Sequence, residues 1–373
     1  IFCVQGYNLD CGPDDFMSRS VDNLVNNGVI AVVAAGNEGL DFTIGSPGTA
    51  RNAITIGASN KLDKLASFSS KGFVMWETSK GNSYLLKPDV IAPGVNICAA
   101  KFGSYGYGDC NPSQEGYTLL SGTSMATPHV AGAVALLKQK HPDWTPEEIK
   151  MVIKNTAKDI GRDIHSQGFG RIDMDKSFKL INRPAIANIV EFSESEFLGE
   201  DGNFDIIGTA GGADFSNYIL YYSSSYLDNI SPEWIEIKRD TKPIINDVLY
   251  KDFDINKLTT TTYFKLVVYN KNGEVSEDIA LLFNVERITT NSFNQLGPKI
   301  FEDKIIYYDN RTGNFDIYMY DLSKGEERQI TTNLGNQTLP SIYEDKIVWQ
   351  DNRNGNFDIY MYDLSKGEER QIT

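Results

Sequence analysis

Histidine is nearly missing from this 373-residue chain, with three copies at positions 129, 141 and 165. Long apolar runs are missing too: none reaches the roughly 18 residues needed to cross a bilayer as a helix, and no secretory-leader pattern is expected at the start. Positive charge is in deficit. Lys and Arg total 35 against 50 Asp and Glu, a formal charge of -15. Nucleic-acid binding needs clustered basic residues, so that class is excluded. The deficit is uneven, with 18 residues of each sign through Pro184 and then 17 basic against 32 acidic, which places an expected domain boundary near Pro184. Cysteine is limited to four residues, Cys3, Cys11, Cys98 and Cys110. Three pairings are possible, and the two local ones are favoured over free buried thiols. No Cys-x-x-Cys or nearby His completes a metal site, so no metal is assigned. Local disulfides suit an extracytoplasmic protein.

What is present in the first half is an α/β pattern. Residues 1–4 read as the end of a strand and 16–27 as a helix closed by Gly28. Residues 29–35 form a continuous apolar run of strand length, as a parallel strand buried on both faces does, and 53–58 supply another strand. Strand, helix, strand in this order implies a parallel sheet with right-handed crossovers and helices on both faces. Ligands in such sheets sit beyond the carboxyl ends of the strands, which is where Gly36-Asn37 falls.

The chain is organised around Gly122-Thr123-Ser124-Met125-Ala126-Thr127-Pro128-His129-Val130-Ala131-Gly132. Pro128 is early enough to be tolerated in a first helical turn, so Ser124 starts the helix, with its own N–H free at the positive end of the dipole. An oxyanion forming there would be stabilised. Ala126, Val130, Ala131, Gly132, Ala133, Ala135 and Leu136 leave almost no polar face, so the helix is expected to be buried in a core.

This motif resembles the nucleophile motif of the subtilisin-like serine proteases. Val33-Ala34-Ala35-Gly36-Asn37-Glu38-Gly39 is similar to that family's oxyanion-asparagine loop, and Lys87-Pro88-Asp89-Val90-Ile91-Ala92-Pro93-Gly94 to its loop before the nucleophile. His141-Pro142-Asp143-Trp144-Thr145 and Gly168-Phe169-Gly170-Arg171-Ile172-Asp173 resemble the end of that domain. The resemblance implies serine endopeptidase activity on polypeptide substrates by an acyl-enzyme route, with Ser124 as nucleophile and Asn37 as oxyanion donor, in a secreted or cell-surface protein. It implies a substrate pocket walled by Ala34, Ala35, Gly36 and Gly45, open to a bulky apolar or aromatic side chain, and a substrate-pairing edge at Gly6. Calcium is common in the family, but no ligands for it are assigned here. Asp309-Asn310-Arg311-Thr312-Gly313-Asn314 lacks the closing Glu of a calcium loop and reads as a turn.

In this family the triad runs Asp, His, Ser along the chain. All three histidines here follow Ser124. His129, five residues along the same helix, is turned about 140° away from Ser124 and reads as a satisfied helix or core residue. His141 follows the helix end and His165 lies in a loop. The Asp and His are therefore expected upstream of Ile1, and the chain alone is expected to be inactive. The related sedolisins use Glu and Asp in place of His, but they carry an aspartate in the oxyanion role, against which Asn37 argues.

From Ala185 the pattern becomes all-β. Strands are expected at 204–210, 216–222, 234–237, 263–269 and 279–285, with Asn272-Gly273 as a hairpin turn. Residues 302–331 and 344–373 are near copies with a period of 42, which resembles TolB-like propeller blades. The expected domains are 1–183, the C-terminal portion of the peptidase domain; 184–199, a linker; 200–286, an Ig-like or fibronectin-like β-sandwich; and 287–373, about two blades of an incomplete propeller. A non-catalytic secreted or cell-surface protein that binds a partner through the propeller is the alternative function.

Overall fold

The computed structural model describes residues 3–4, 12–78, 81–101, 110, 116–194, 203–223, 233–258, 261–283, 288–289 and 293–373. They fall into two compact units, Ile1–Asn284 and Val285–Thr373.

The first unit begins with an α/β layer. Helix α1, Phe16–Asn26, is capped by Asp15, whose carboxylate accepts from the Ser18 N–H at 2.9 Å, and it ends before Gly28 at a positive φ of 88°. The helix docks through hydroxyls, with buried Ser18 Oγ 2.7 Å from Thr49 Oγ1. The strands Val32–Ala34, Ile54–Ser59 and Val90–Pro93 lie side by side in that order, all parallel. The last occupies a stretch that resembled a loop; its four residues end in proline, and three of them are buried. Helices α2, Thr123–Lys140, and α3, Pro146–Asn155, share one core with the sheet through Ile54, Ile56, Val130, Leu137, Trp144 and Ile149. Thr145 and Glu148 cap α3 with a reciprocal capping box.

Helix α2 departs from its expected full burial. Thr123, Ala126, Val130, Ala133, Val134 and Leu137 are buried, whereas Ser124, Pro128, Ala131, Gly132, Ala135 and Leu136 are exposed, Leu136 by 49%. The reason is geometric: only one side of the helix meets the sheet, and among the described residues nothing covers the other.

Residues 184–199, expected as linker, contain the strand Ile186–Glu194. It pairs antiparallel with Phe204–Gly211, which pairs with Ile244–Phe253. A second sheet, in the order Ile235–Asp240, Phe215–Ser223, Thr261–Asn270, Val275–Phe283, closes a two-sheet sandwich over Phe204, Ile206, Tyr218, Leu249, Phe264 and Leu266. The Asn272-Gly273 turn joins the last two strands, with Gly273 at φ 81°.

The second sheet is also covered on its other side. Tyr263 and Leu281 pack with Phe73 and Ile164 of the α/β layer. Lys154 on α3 reaches buried Asp278 at 2.6 Å, and the other Asp278 oxygen accepts from Ile189 N at 2.8 Å. One carboxylate thus ties α3 to both sheets of the sandwich. Asp278→Asn keeps an acceptor for Ile189 but loses the charge opposite Lys154. It is expected to cost about 1.5–3 kcal/mol, read as a lower urea midpoint for a single transition spanning α/β and sandwich signals.

The second unit holds two four-stranded antiparallel sheets, 296–329 and 337–371, each in simple sequential order. Ile306, Ile317 and Met319 of the first pack with Ile342, Ile347, Trp349 and Tyr360 of the second. Tyr307 and Trp349 are 2% and 1% exposed, consistent with packing roles. In the 309–314 turn, Arg311 Nε binds Asp309 at 2.8 Å, so the fully buried carboxylate is neutralised within its own turn.

Candidate active site

The site forms where the strand ending at Ala34 and the start of α2 converge. Gly122 N–H donates to Gly94 O at 2.8 Å. A side chain at Gly94 would place its Cβ 2.6 Å from Gly122 O, so glycine is needed for this approach. The chain then turns into α2, leaving Ser124 in the first turn and exposed. Neither its N–H nor its hydroxyl has an intramolecular partner among the described residues.

Asn37 stands beside it. Its Oδ1 accepts from Thr123 N–H at 2.8 Å and from Thr123 Oγ1 at 3.0 Å. Thr123 Oγ1 also accepts from the buried Gly36 N–H at 3.2 Å. With the oxygen held twice, the amide orientation is fixed and Nδ2 is the end left to donate. A Cβ on Gly122 would lie 3.5 Å from it, so the amide sits against the helix start. Thr123 was not singled out in the sequence as a site residue. Its place just before Ser124 was the available signal.

Ala34, Ala35, Gly36 and Gly45 lie close to one another. Gly45 N–H donates to Ala35 O at 2.9 Å, and Ala35, Gly36 and Gly45 are buried. Gly45–Ser46 pairs antiparallel with Cys3–Val4. Gly6 lies outside the described residues. Cys98 and Cys110 are bonded, and the bridge ties the strand Ile97–Ala100 to the connection before its partner strand Tyr117–Leu120, which leads into α2; Cys11 lies outside the described residues.

The three histidines are elsewhere. His129 is exposed rather than in a core, and its Nδ1 lies 2.9 Å from Met125 O, because position 129 falls on the uncovered side of α2. His141 stacks on Trp144 at 3.6 Å and reaches Leu180 O at 3.2 Å. His165 packs on Phe73 at 5.4 Å, with Asp41 3.7 Å from its Nε2. Among the described residues no group of three or more His, Cys, Asp or Glu is placed to hold a metal ion.

Below the strands lies a charged network that the sequence did not disclose. Asp89, 5% exposed, accepts from Lys87 Nζ at 2.7 Å and from Thr55 N–H at 2.7 Å, and lies 3.3 Å from Lys150 Nζ. Lys87 is 1% exposed and also donates to Ala53 O at 2.9 Å. Burial acts to raise the Asp89 carboxyl, but Lys150 and Lys87 outweigh it and hold it well below the usual carboxylate range. Burial pushes Lys87 down from the ordinary lysine range, with Asp89 opposing.

Residues 7–171 match the subtilase family, Peptidase S8. Over 176 residues the chain is 39% identical to the serine protease AprX of Bacillus subtilis, covering 44% of this chain and 38% of that protein. Over 157 residues it is 37% identical to subtilisin BL of Lederbergia lenta, covering 41% and 49%. A solved structure of the patellamide maturation protease PatA aligns at 25% identity and a TM-score of 0.34, covering 44% of this chain and 56% of that one. The chain thus spans half or less of the curated relatives named here. Residues 7–171 are thus the part of the chain that is similar to subtilases, and an all-β region follows it.

Proposed function

Taking residues 7–171 as a subtilase segment, we propose that the chain is the Ser124-bearing part of a secreted serine endopeptidase. The observation that carries this is the pairing of exposed Ser124, its N–H and hydroxyl both unengaged, with an Asn37 amide held in one orientation by Thr123. Ser124 Oγ attacks the carbonyl carbon of the scissile peptide. The carbonyl oxygen, now negative, takes hydrogen bonds from Ser124 N–H and Asn37 Nδ2, two donors aimed where charge develops. The parent protein's base, having taken the Ser124 hydroxyl proton on attack, hands it to the departing amine as the intermediate collapses to an acyl-enzyme, which water hydrolyses. The side chain before the scissile bond enters between Ala34-Ala35-Gly36 and Gly45, where the absence of bulk admits an apolar or aromatic group; Gly6 belongs to the edge that pairs with substrate backbone.

The base and the carboxylate that orients it are assigned to another part of the parent protein, since none of the three histidines lies where Ser124 can use it. The exposed apolar side of α2 is the place such a segment covers. By itself the chain is inactive. The sandwich is assigned as an Ig-like accessory module and the two repeats as TolB-like propeller blades, with a protein or surface partner.

The test uses the full-length parent protein and a fluorophosphonate probe. One covalent label per chain, located by mass spectrometry on the peptide carrying Ser124 and absent in Ser124→Ala, is expected. A folded parent that neither labels there nor cleaves casein would overturn the reading.

A further inference from the structure

The strands Val74–Thr78 and Gly81–Leu85 pair antiparallel, with Val74 opposite Leu85. Side chains along a strand alternate between its faces, and here the alternation divides them between two neighbours. Val74 and Leu85 pack on Ala35 and Ile44, both fully buried, of which Ala35 belongs to the substrate-pocket wall and Ile44 adjoins Gly45. Phe73, Tyr84 and Leu86 pack the other way, against Tyr263 and Leu281 of the sandwich. One layer of backbone thus separates the pocket wall from the sandwich.

The residues leading into this strand pair are stitched to the loop between Asn37 and Gly45. Lys71 N–H donates to Leu40 O at 3.1 Å, Phe42 N–H to Gly72 O at 3.2 Å and Thr43 N–H to Lys71 O at 3.1 Å. The Phe42 and Phe73 rings lie 6.4 Å apart. The sandwich side of the stack is itself held. Tyr263 and Leu281 are cross-strand partners, Lys154 pairs with Asp278, and Glu277 N–H donates to Asn155 Oδ1 at 2.9 Å. Asn37 takes its orientation from elsewhere, through Thr123 at the start of α2.

On the endopeptidase reading of Ser124, on which this rests, we propose that the sandwich sets the width of the substrate pocket, with Phe73 and Leu281 as positioning residues that act through Val74, Leu85 and Ile44. Packed side chains carry the coupling. A bulky side chain before the scissile bond presses on the Ala35 wall and depends on its support, whereas a methyl group does not. Loosening the stack therefore weakens the binding of bulky substrates and leaves the oxyanion donors in place.

The experiment uses the full-length parent protein, with active sites counted by the fluorophosphonate label on Ser124, and two peptide p-nitroanilides that differ only in carrying Phe or Ala before the scissile bond. In Leu281→Ala, kcat/KM per labelled site is expected to fall about tenfold for the Phe substrate, through KM, and less than about twofold for the Ala substrate. Leu281→Val is expected to show the same split at about threefold, and it carries the test where the alanine variant fails to fold. Leu266→Ala, buried on the opposite face of the same sheet, controls for lost stability and is expected to leave the Phe-to-Ala ratio unchanged. An unaltered ratio in the Leu281 variants would overturn the proposal, as would an equal shift in Leu266→Ala or a fall in kcat shared by both substrates. A parent protein that takes no label at Ser124 overturns the endopeptidase reading itself and this proposal with it, a result distinct from any of the others.

Discussion

Asp89→Ala is expected to lower the stability of the first unit by about 3–5 kcal/mol, a large part of the roughly 5–15 kcal/mol that holds a domain together. The substitution removes the carboxylate that pairs with both Lys87 and Lys150 and leaves the Thr55 N–H without its acceptor. Breaking a buried pair on one side costs more than the pair is worth, because a desolvated charge remains. Urea unfolding followed by fluorescence of Trp144, which is 2% exposed in the same core, measures it. A midpoint within error of the unaltered protein would show the network to be energetically idle.

The same group sets a pH dependence. Its folded pKa lies below the unfolded value of about 3.9. The stability it contributes is therefore fully present above the unfolded value and is lost as pH falls through the folded one. Asp89→Asn is accordingly expected to lie well below the unaltered protein in stability at about pH 7 and to approach it in strong acid.

Asn37→Ala in the complete peptidase is expected to reduce kcat by about 10²–10³ with little change in KM, a range measured on a subtilisin and carried over to this chain. Truncation removes the Nδ2 proposed to face the oxyanion and also frees Thr123 from its Oδ1. Asn37→Asp separates these effects: it keeps acceptors for Thr123 but has no amide donor and adds negative charge beside the oxyanion. It is expected to fall at least as far as the alanine variant. Loss expressed in KM alone would assign Asn37 to substrate binding instead.

Each half of the candidate site was legible because it is a short motif in its own right, although the two halves lie 86 positions apart. Gly122, Thr123 and Ser124 are consecutive, and Asn37 comes three residues after the half-buried strand Val32–Ala34, so motif and strand end nearly coincide. The charged network was hidden for the opposite reason. Asp89 meets a lysine 61 positions away at Lys150, and a buried lysine, Lys87, contradicts the pattern by which a core is read. Two sandwich strands escaped notice because bulges break the period of two that marks a strand. Ile186–Glu194 shifts register between Ile189 and Glu191, and Ile244–Phe253 shifts three times, with Asn246 and Asp252 at positive φ. The exposed side of α2 was read as buried because its sequence is apolar all round, and a pattern records what a helix can bury rather than what is there to cover it.

The sheet of the sandwich that ends at Phe283 is packed on both faces, one of them against the α/β layer. This bears on where the polypeptide can be cut for production. Ending it at residue 183, where the α/β pattern stops, would uncover Phe73 and Ile164 and strand the Lys154 ammonium without its counter-ion. Ending it after residue 284 leaves that surface sealed. The place where one fold gives way to the next is thus a poor expression boundary, and a truncation series should treat the α/β segment and the sandwich as one deliverable piece.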